Sequence, residues 1–158
     1  MRIAIIGVGY VGLPLLIELS KKNYETFGFD IDEKKILSLK KNISYITDAS
    51  DRDIKVLNKN NLFYKFNNKL SKCNYIIICL PTPLKKDAPD ISFINSAFNN
   101  IKPYLKKNQT IILESTVYPG ATRELFCKNL SKKFKLGRNF FLGFSPERIN
   151  PGQNNNKK

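Results

Sequence analysis

Ile3-Ala4-Ile5-Ile6 runs directly into Gly7-Val8-Gly9-Tyr10-Val11-Gly12, and Leu13-Pro14-Leu15-Leu16-Ile17-Glu18-Leu19 follows with apolar residues at helical spacing. This is a strand, a glycine-rich turn and the first turns of a helix. The three glycines meet three demands: a tight turn leaving the strand, a backbone without Cβ where a pyrophosphate must approach, and close packing of helix on strand. The free amides at the helix start form an anion site, to which the helix dipole adds about 0.3 to 1 kcal/mol. A second apolar segment, Tyr24-Glu25-Thr26-Phe27-Gly28-Phe29, ends in Asp30. That is close to the spacing at which a carboxylate accepts hydrogen bonds from ribose hydroxyls. Together these signals predict a dinucleotide site built from Gly7, Gly9, Tyr10, Val11, Gly12 and Asp30, the alternative being a glycine turn that only packs.

Apolar segments alternate with helical patterns along the rest of the chain, the signature of a parallel sheet wrapped by helices. Strands are predicted near residues 2–7, 24–29, 62–66, 74–80, 109–114 and 139–144, and helices near 10–22, 32–41, 51–58, 91–105 and 120–133. Asp90 is a capping candidate for the fourth helix, and residues 42–50 read as a loop. The fold class is therefore α/β, a Rossmann-type doubly wound parallel sheet of strand order 3-2-1-4-5-6, with its ligand in the crevice at the carboxyl ends of the strands. The unusual residues do follow strands: Leu80-Pro81-Thr82-Pro83 after the fourth, Glu114-Ser115-Thr116-Val117-Tyr118-Pro119-Gly120 after the fifth, Ser145-Pro146-Glu147-Arg148 after the sixth. Thr82, in a loop stiffened by two prolines, and Ser115 and Thr116 are predicted to touch the cofactor, against an ordinary Pro-rich turn for Thr82. Asp30 favours NAD, since its charge would repel a 2′-phosphate; its alternative role is to cap the helix near Asp32. Lys34, in the first turn of that helix, is a weaker candidate for cofactor contact than for plain solvation.

The chain has 158 residues, 42% of them hydrophobic and 25% charged, which suits one domain burying roughly 70% of its unfolded surface. Residues 1–150 read as that domain and 151–158 as a disordered polar tail. No apolar run approaches the ~20 residues of a membrane helix and no signal-peptide pattern opens the chain, so a cytoplasmic protein without membrane contact is expected. Cys73, Cys79 and Cys127 have no metal-ligand spacing, and their odd number argues against a disulfide framework, so no metal site is expected. The net charge of +14 raises the question of nucleic acid. Its lysines are scattered as pairs along the whole chain with no recognised binding motif, so nucleic acid is not expected and the field should mainly attract anionic nucleotides.

The stretches GVGYVGLPL, FGFDID, IICLPTPL with PDIS, IILESTVYPGATRE and FFLGFSPERINPG resemble, in this order, the amino-terminal NAD-binding domain of the UDP-glucose/GDP-mannose dehydrogenase family. ISYITDAS and SPER lean toward the branch that oxidises UDP-N-acetyl-D-glucosamine or UDP-N-acetyl-D-mannosamine at C6, making uronic acids for surface polysaccharides. The resemblance implies a two-step oxidation of an alcohol to a carboxylate, with two NAD reduced and a thiol holding the aldehyde between steps. In the family that cysteine lies in a carboxy-terminal UDP-sugar domain beyond a linking helix, neither of which this sequence contains, so turnover by these residues alone is not expected. By resemblance, Thr116 positions a water or substrate hydroxyl near the nicotinamide, Glu147 is the active-site glutamate, and Arg148 meets the substrate or its phosphates. The plain alternative for Glu147 is a turn cap or a pair with Arg148. A non-catalytic NAD-binding or interaction module, or a homo-oligomer covering the linking-helix face, is the competing expectation.

Overall fold

A computed structural model describes residues 1–85, 88–128 and 130–146. Among these residues six parallel strands form one sheet: β1 (Arg2–Ile6), β2 (Glu25–Phe29), β3 (Leu62–Phe63), β4 (Tyr75–Ile78), β7 (Gln109–Leu113) and β8 (Phe140–Phe144). A two-stranded antiparallel hairpin of β5 (Leu84–Lys85) and β6 (Ala88–Pro89) stands apart from it. The sheet order β3-β2-β1-β4-β7-β8 is the order read from the sequence, with the hairpin inserted between its fourth and fifth members. Ile3 to Ile6 and Ile76 to Ile78 are buried on both faces, as central strands of a parallel sheet must be.

Among the described residues five helices cover those faces: α1 (Gly12–Lys21), α2 (Glu33–Lys40), α3 (Asp51–Ile54), α4 (Ser92–Ile101) and α5 (Ala121–Cys127). Leu13, Leu16 and Ile17 of α1 pack with Ile36 and Leu39 of α2 and Ile54 of α3 on one face. Ile94, Phe98 and Ile101 of α4 pack with Leu125 and Phe126 of α5 on the other, where the Phe98 and Phe126 rings meet edge to face at 4.8 Å. Each fully buried side chain of this size contributes about 1.5 to 3 kcal/mol, so the two layers hold the sheet from both sides.

Several elements are shorter than their periodicity suggests. The helix read over 91–105 ends at Ile101 and continues as a 3-10 turn, Lys102–Tyr104, because Pro103 removes an amide donor. The helix read over 51–58 is one turn fixed by a capping box between Ser50 and Asp53. The helix read over 120–133 ends at Cys127, and the chain then turns so that Phe134 reaches Phe140, ring centroids 4.8 Å apart. The strand read over 62–66 pairs only at Leu62 and Phe63, with Gly28 and Phe29 of β2. Asp90 does bind the start of α4, its Oδ1 accepting from the Ser92 amide at 2.9 Å, although Ile91 occupies the cap position itself. The predicted tail, residues 151–158, lies outside the described residues.

Candidate functional site

Parallel β1, β2, β4 and β7 all end at the same edge of the sheet, so the segments that follow them converge there. The glycine turn after β1 shows three distinct uses of a missing side chain. Gly7 has φ +90°, and a Cβ on it would fall 2.6 Å from the Cys79 carbonyl oxygen. A Cβ on Gly12 would fall 1.9 Å from the Gly7 carbonyl oxygen, which is the close helix-on-strand approach. Gly9 has nothing within 4 Å of the Cβ position, so the space it leaves is open. Leu13 N–H donates back to the Gly9 carbonyl at 3.0 Å, and among the described residues no acceptor faces the amides of Tyr10 and Val11 at the helix start.

A cleft of about 420 Å³ opens above this turn. Gly9, Tyr10, Val11, Thr82, Ser115 and Thr116, six of the residues singled out from the sequence, line it together with Lys35, Cys79, Leu80, Pro81 and Glu114. Its far wall is tied together by hydrogen bonds between neighbouring strand ends. The buried Ser115 hydroxyl accepts from the Leu80 amide at 3.1 Å, the Cys79 amide donates to the Ile6 carbonyl at 2.9 Å, and the Cys79 thiol donates to Glu114 Oε2 at 3.3 Å. Thr116 is exposed on the wall opposite the glycine turn, and Thr82 is half-buried.

Asp30 lies at the β2 end of the turn with its side chain only 9% exposed. Oδ2 accepts from the Val8 amide at 3.0 Å, Oδ1 accepts from the Asp32 amide at 2.9 Å, and the Lys35 ammonium stands 3.5 Å away. The capping of α2 belongs to Asp32, which accepts from the Lys34 amide at 2.9 Å, so Asp30 is not held there as a helix cap. Beside Asp30 is a slot of about 80 Å³ walled by Ile31, Phe66, Leu80 and Phe93, and Gly7 reaches its rim. Lys34 borders a separate cavity of about 370 Å³ with Tyr10, Asp32, Ser38 and Tyr45.

Two residues at this edge carry no mark in the sequence. Lys35, not Lys34, pairs with Asp30 and borders both larger cavities, a choice made by where the first turn of α2 points. Tyr45, in the loop after α2, donates its hydroxyl to the Val8 carbonyl, and burial, with Asp30 and Asp32 nearby, pushes that hydroxyl well above its ordinary pKa. A tyrosine in an irregular polar loop gives no periodic signal, so its contact 37 residues away is visible only in three dimensions. Glu147 and Arg148 lie outside the described residues. Just before them, the Ser145 amide donates to the Leu113 carbonyl at 3.0 Å, tying the exit of β8 to β7. Among the described residues no group of three or more His, Cys, Asp or Glu could hold a metal ion, and no helix is long and apolar enough to cross a membrane.

The family model for the UDP-glucose/GDP-mannose dehydrogenase family, NAD binding domain, matches residues 1–157. A UDP-N-acetyl-D-glucosamine 6-dehydrogenase from Pseudomonas aeruginosa is 40% identical over 157 residues, which is 96% of this chain and 36% of that protein. The solved structure of a UDP-D-ManNAc dehydrogenase from Pyrococcus horikoshii superposes with TM-score 0.84 at 32% identity, covering 96% of this chain and 37% of that one. A ternary complex of GDP-mannose dehydrogenase from Pseudomonas aeruginosa gives TM-score 0.85 at 25% identity over 96% of this chain and 37% of that one.

Proposed function

Since the chain belongs to the UDP-glucose/GDP-mannose dehydrogenase family and is its NAD-binding domain, we propose that NAD lies across the cleft with its pyrophosphate over Gly9. The observation that carries this reading is the open space at Gly9, where a Cβ would meet nothing within 4 Å, beside amides of Tyr10 and Val11 that make no hydrogen bond among the described residues. Asp30 accepts from the adenosine ribose diol, and the slot walled by Ile31, Phe66, Leu80 and Phe93 takes the flat adenine. Thr82, Ser115 and Thr116 border the other half of the cofactor. When bound, NAD accepts the hydride. Isothermal titration of the folded 158-residue chain tests the assignment: saturable binding of NAD is expected, and no heat at millimolar NAD refutes it.

The chain spans 36% of the length of the Pseudomonas dehydrogenase it matches, so the rest of the activity is a proposal about the whole protein. The substrate class is a UDP-N-acetylhexosamine, or UDP-glucose, oxidised at C6 to a uronic acid for surface polysaccharide. Residues 1–150 form the cofactor half, Thr116 orients a water or the substrate hydroxyl, and Glu147 with Arg148 meets the substrate. The setting is the cytoplasm, with assembly as a homo-oligomer. None of the three cysteines supplies the thiol nucleophile. Cys73 is buried, and that burial pushes its thiol up to about 12. Cys79 is buried against Glu114. Cys127 is on α5, which packs on the face of the sheet held by Phe98 and Phe126 rather than lining the cleft. These residues alone therefore give no NADH from NAD and UDP-N-acetylglucosamine, and accumulation at enzyme-like rates would overturn that assignment.

A further inference from the structure

The two peptides that meet at Val8 are each held by a side chain, its amide by Asp30 Oδ2 at 3.0 Å and its carbonyl by the Tyr45 hydroxyl. Val8 is fully buried, and its carbonyl shares one rigid peptide plane with the Gly9 amide, so a bond to that carbonyl fixes the direction of the first amide of the turn. Tyr45 is itself fixed by its neighbours. The Ser44 amide donates to Asp51 Oδ1 at 2.7 Å, the Ser44 hydroxyl donates to the Ile46 carbonyl at 3.1 Å, and Ile46 is buried in the core. The tyrosine ring also stands 6.0 Å from the Lys35 ammonium, which pairs with Asp30.

We propose that Tyr45 is a positioning residue for the cofactor, a latch from the loop after α2 that holds the glycine turn with its amides aimed at the pyrophosphate. This rests on the assignment of the cleft to NAD. The latch acts on the pyrophosphate end only, because the Tyr45 hydroxyl touches Val8 and not the slot beside Asp30. A tyrosine that merely packed would affect every ligand of the domain alike.

The experiment compares Tyr45→Phe with the unaltered chain, using NAD, ADP-ribose and adenosine as separate probes. Loss of one buried hydrogen bond should weaken NAD and ADP-ribose about tenfold while leaving adenosine unchanged. Equal NAD affinity in a folded Tyr45→Phe chain, or a proportional loss for adenosine, overturns the latch. Failure of the unaltered chain to bind NAD removes the underlying assignment, which the first titration reveals before any variant is made. Should Tyr45→Phe not fold, Ser44→Ala loosens the same loop without stranding the Val8 carbonyl. A smaller loss confined to NAD and ADP-ribose then supports the latch, and unchanged affinities overturn it.

Discussion

Gly7, Gly9 and Gly12 look alike in a motif, yet the space around them assigns each a separate physical task. At Gly12 a methyl group would sit 1.9 Å from a carbonyl oxygen, a clash that only a shift of helix against strand can relieve. Gly12→Ala is therefore expected to destabilise the fold by about 3 kcal/mol or more, seen as a loss of midpoint in urea unfolding. At Gly9 the same methyl meets nothing, so Gly9→Ala should unfold with the midpoint of the unaltered chain while NAD binding falls below detection. A Gly9→Ala chain that binds NAD normally would mean the pyrophosphate lies elsewhere. The cysteines divide in a similar way by environment. Cys73 has its thiol pushed up to about 12 by burial and should resist alkylation at neutral pH for as long as the domain stays folded. Cys127, half-exposed at the end of α5, should label first, and mass spectrometry of timed samples reads the order.

Among the elements, α3 shows how one residue can join two helices. Asp53 accepts from the Ser50 hydroxyl at 2.6 Å and from the Ser50 amide at 3.1 Å, closing the capping box, and from Lys21 of α1 at 3.0 Å. The Ser50 hydrogen bond first, and Lys21 after it, hold the Asp53 carboxyl down at about 2, against an ordinary 3.8. A carboxyl depressed in the folded state stabilises fully above its unfolded value, and that stabilisation is lost as pH falls through the folded one. The tie between α1 and α3 should therefore weaken between about pH 4 and pH 2. Carbon-13 titration should place the Asp53 midpoint near pH 2, and a midpoint near 3.8 would mean that the box does not form in solution. Such ties also explain which parts of the fold were legible beforehand. The strands that were long and apolar, and the glycine turn between a strand and a helix, carry their signal in adjacent residues, so strand order and the line of the cleft could be read directly. The hairpin of β5 and β6 could not: it has two residues a side, Leu84 is 76% exposed, and Pro89 is no strand former. Nor could the choice of Lys35 over Lys34, which depends on the rotation of α2, or Tyr45, whose partner is brought near only by folding.

For the molecule as a whole, the net charge of +14 acts on folding and on binding with opposite signs. Like charges spread over one small domain repel one another, and salt relieves that repulsion, so the ligand-free chain should melt higher as ionic strength rises. The same lysines raise the concentration of an anionic dinucleotide near the cleft, and Lys35 borders the cleft itself, so salt should weaken NAD. Between 50 mM and 500 mM sodium chloride the dissociation constant is expected to rise roughly threefold, while the melting temperature without ligand increases. At a hundredfold excess over its dissociation constant NAD stabilises the folded state by about 2.7 kcal/mol, which for a chain of this size raises the melting temperature by roughly 5 to 10 °C. Thermal scans at the two salt concentrations, each with and without a fixed amount of NAD, separate the two effects: the baseline should climb as the increment from NAD shrinks. Were the charge instead a nucleic-acid surface, duplex or single-stranded DNA would raise the melting temperature at low salt whether or not NAD was present, and the increment from NAD would not move with salt.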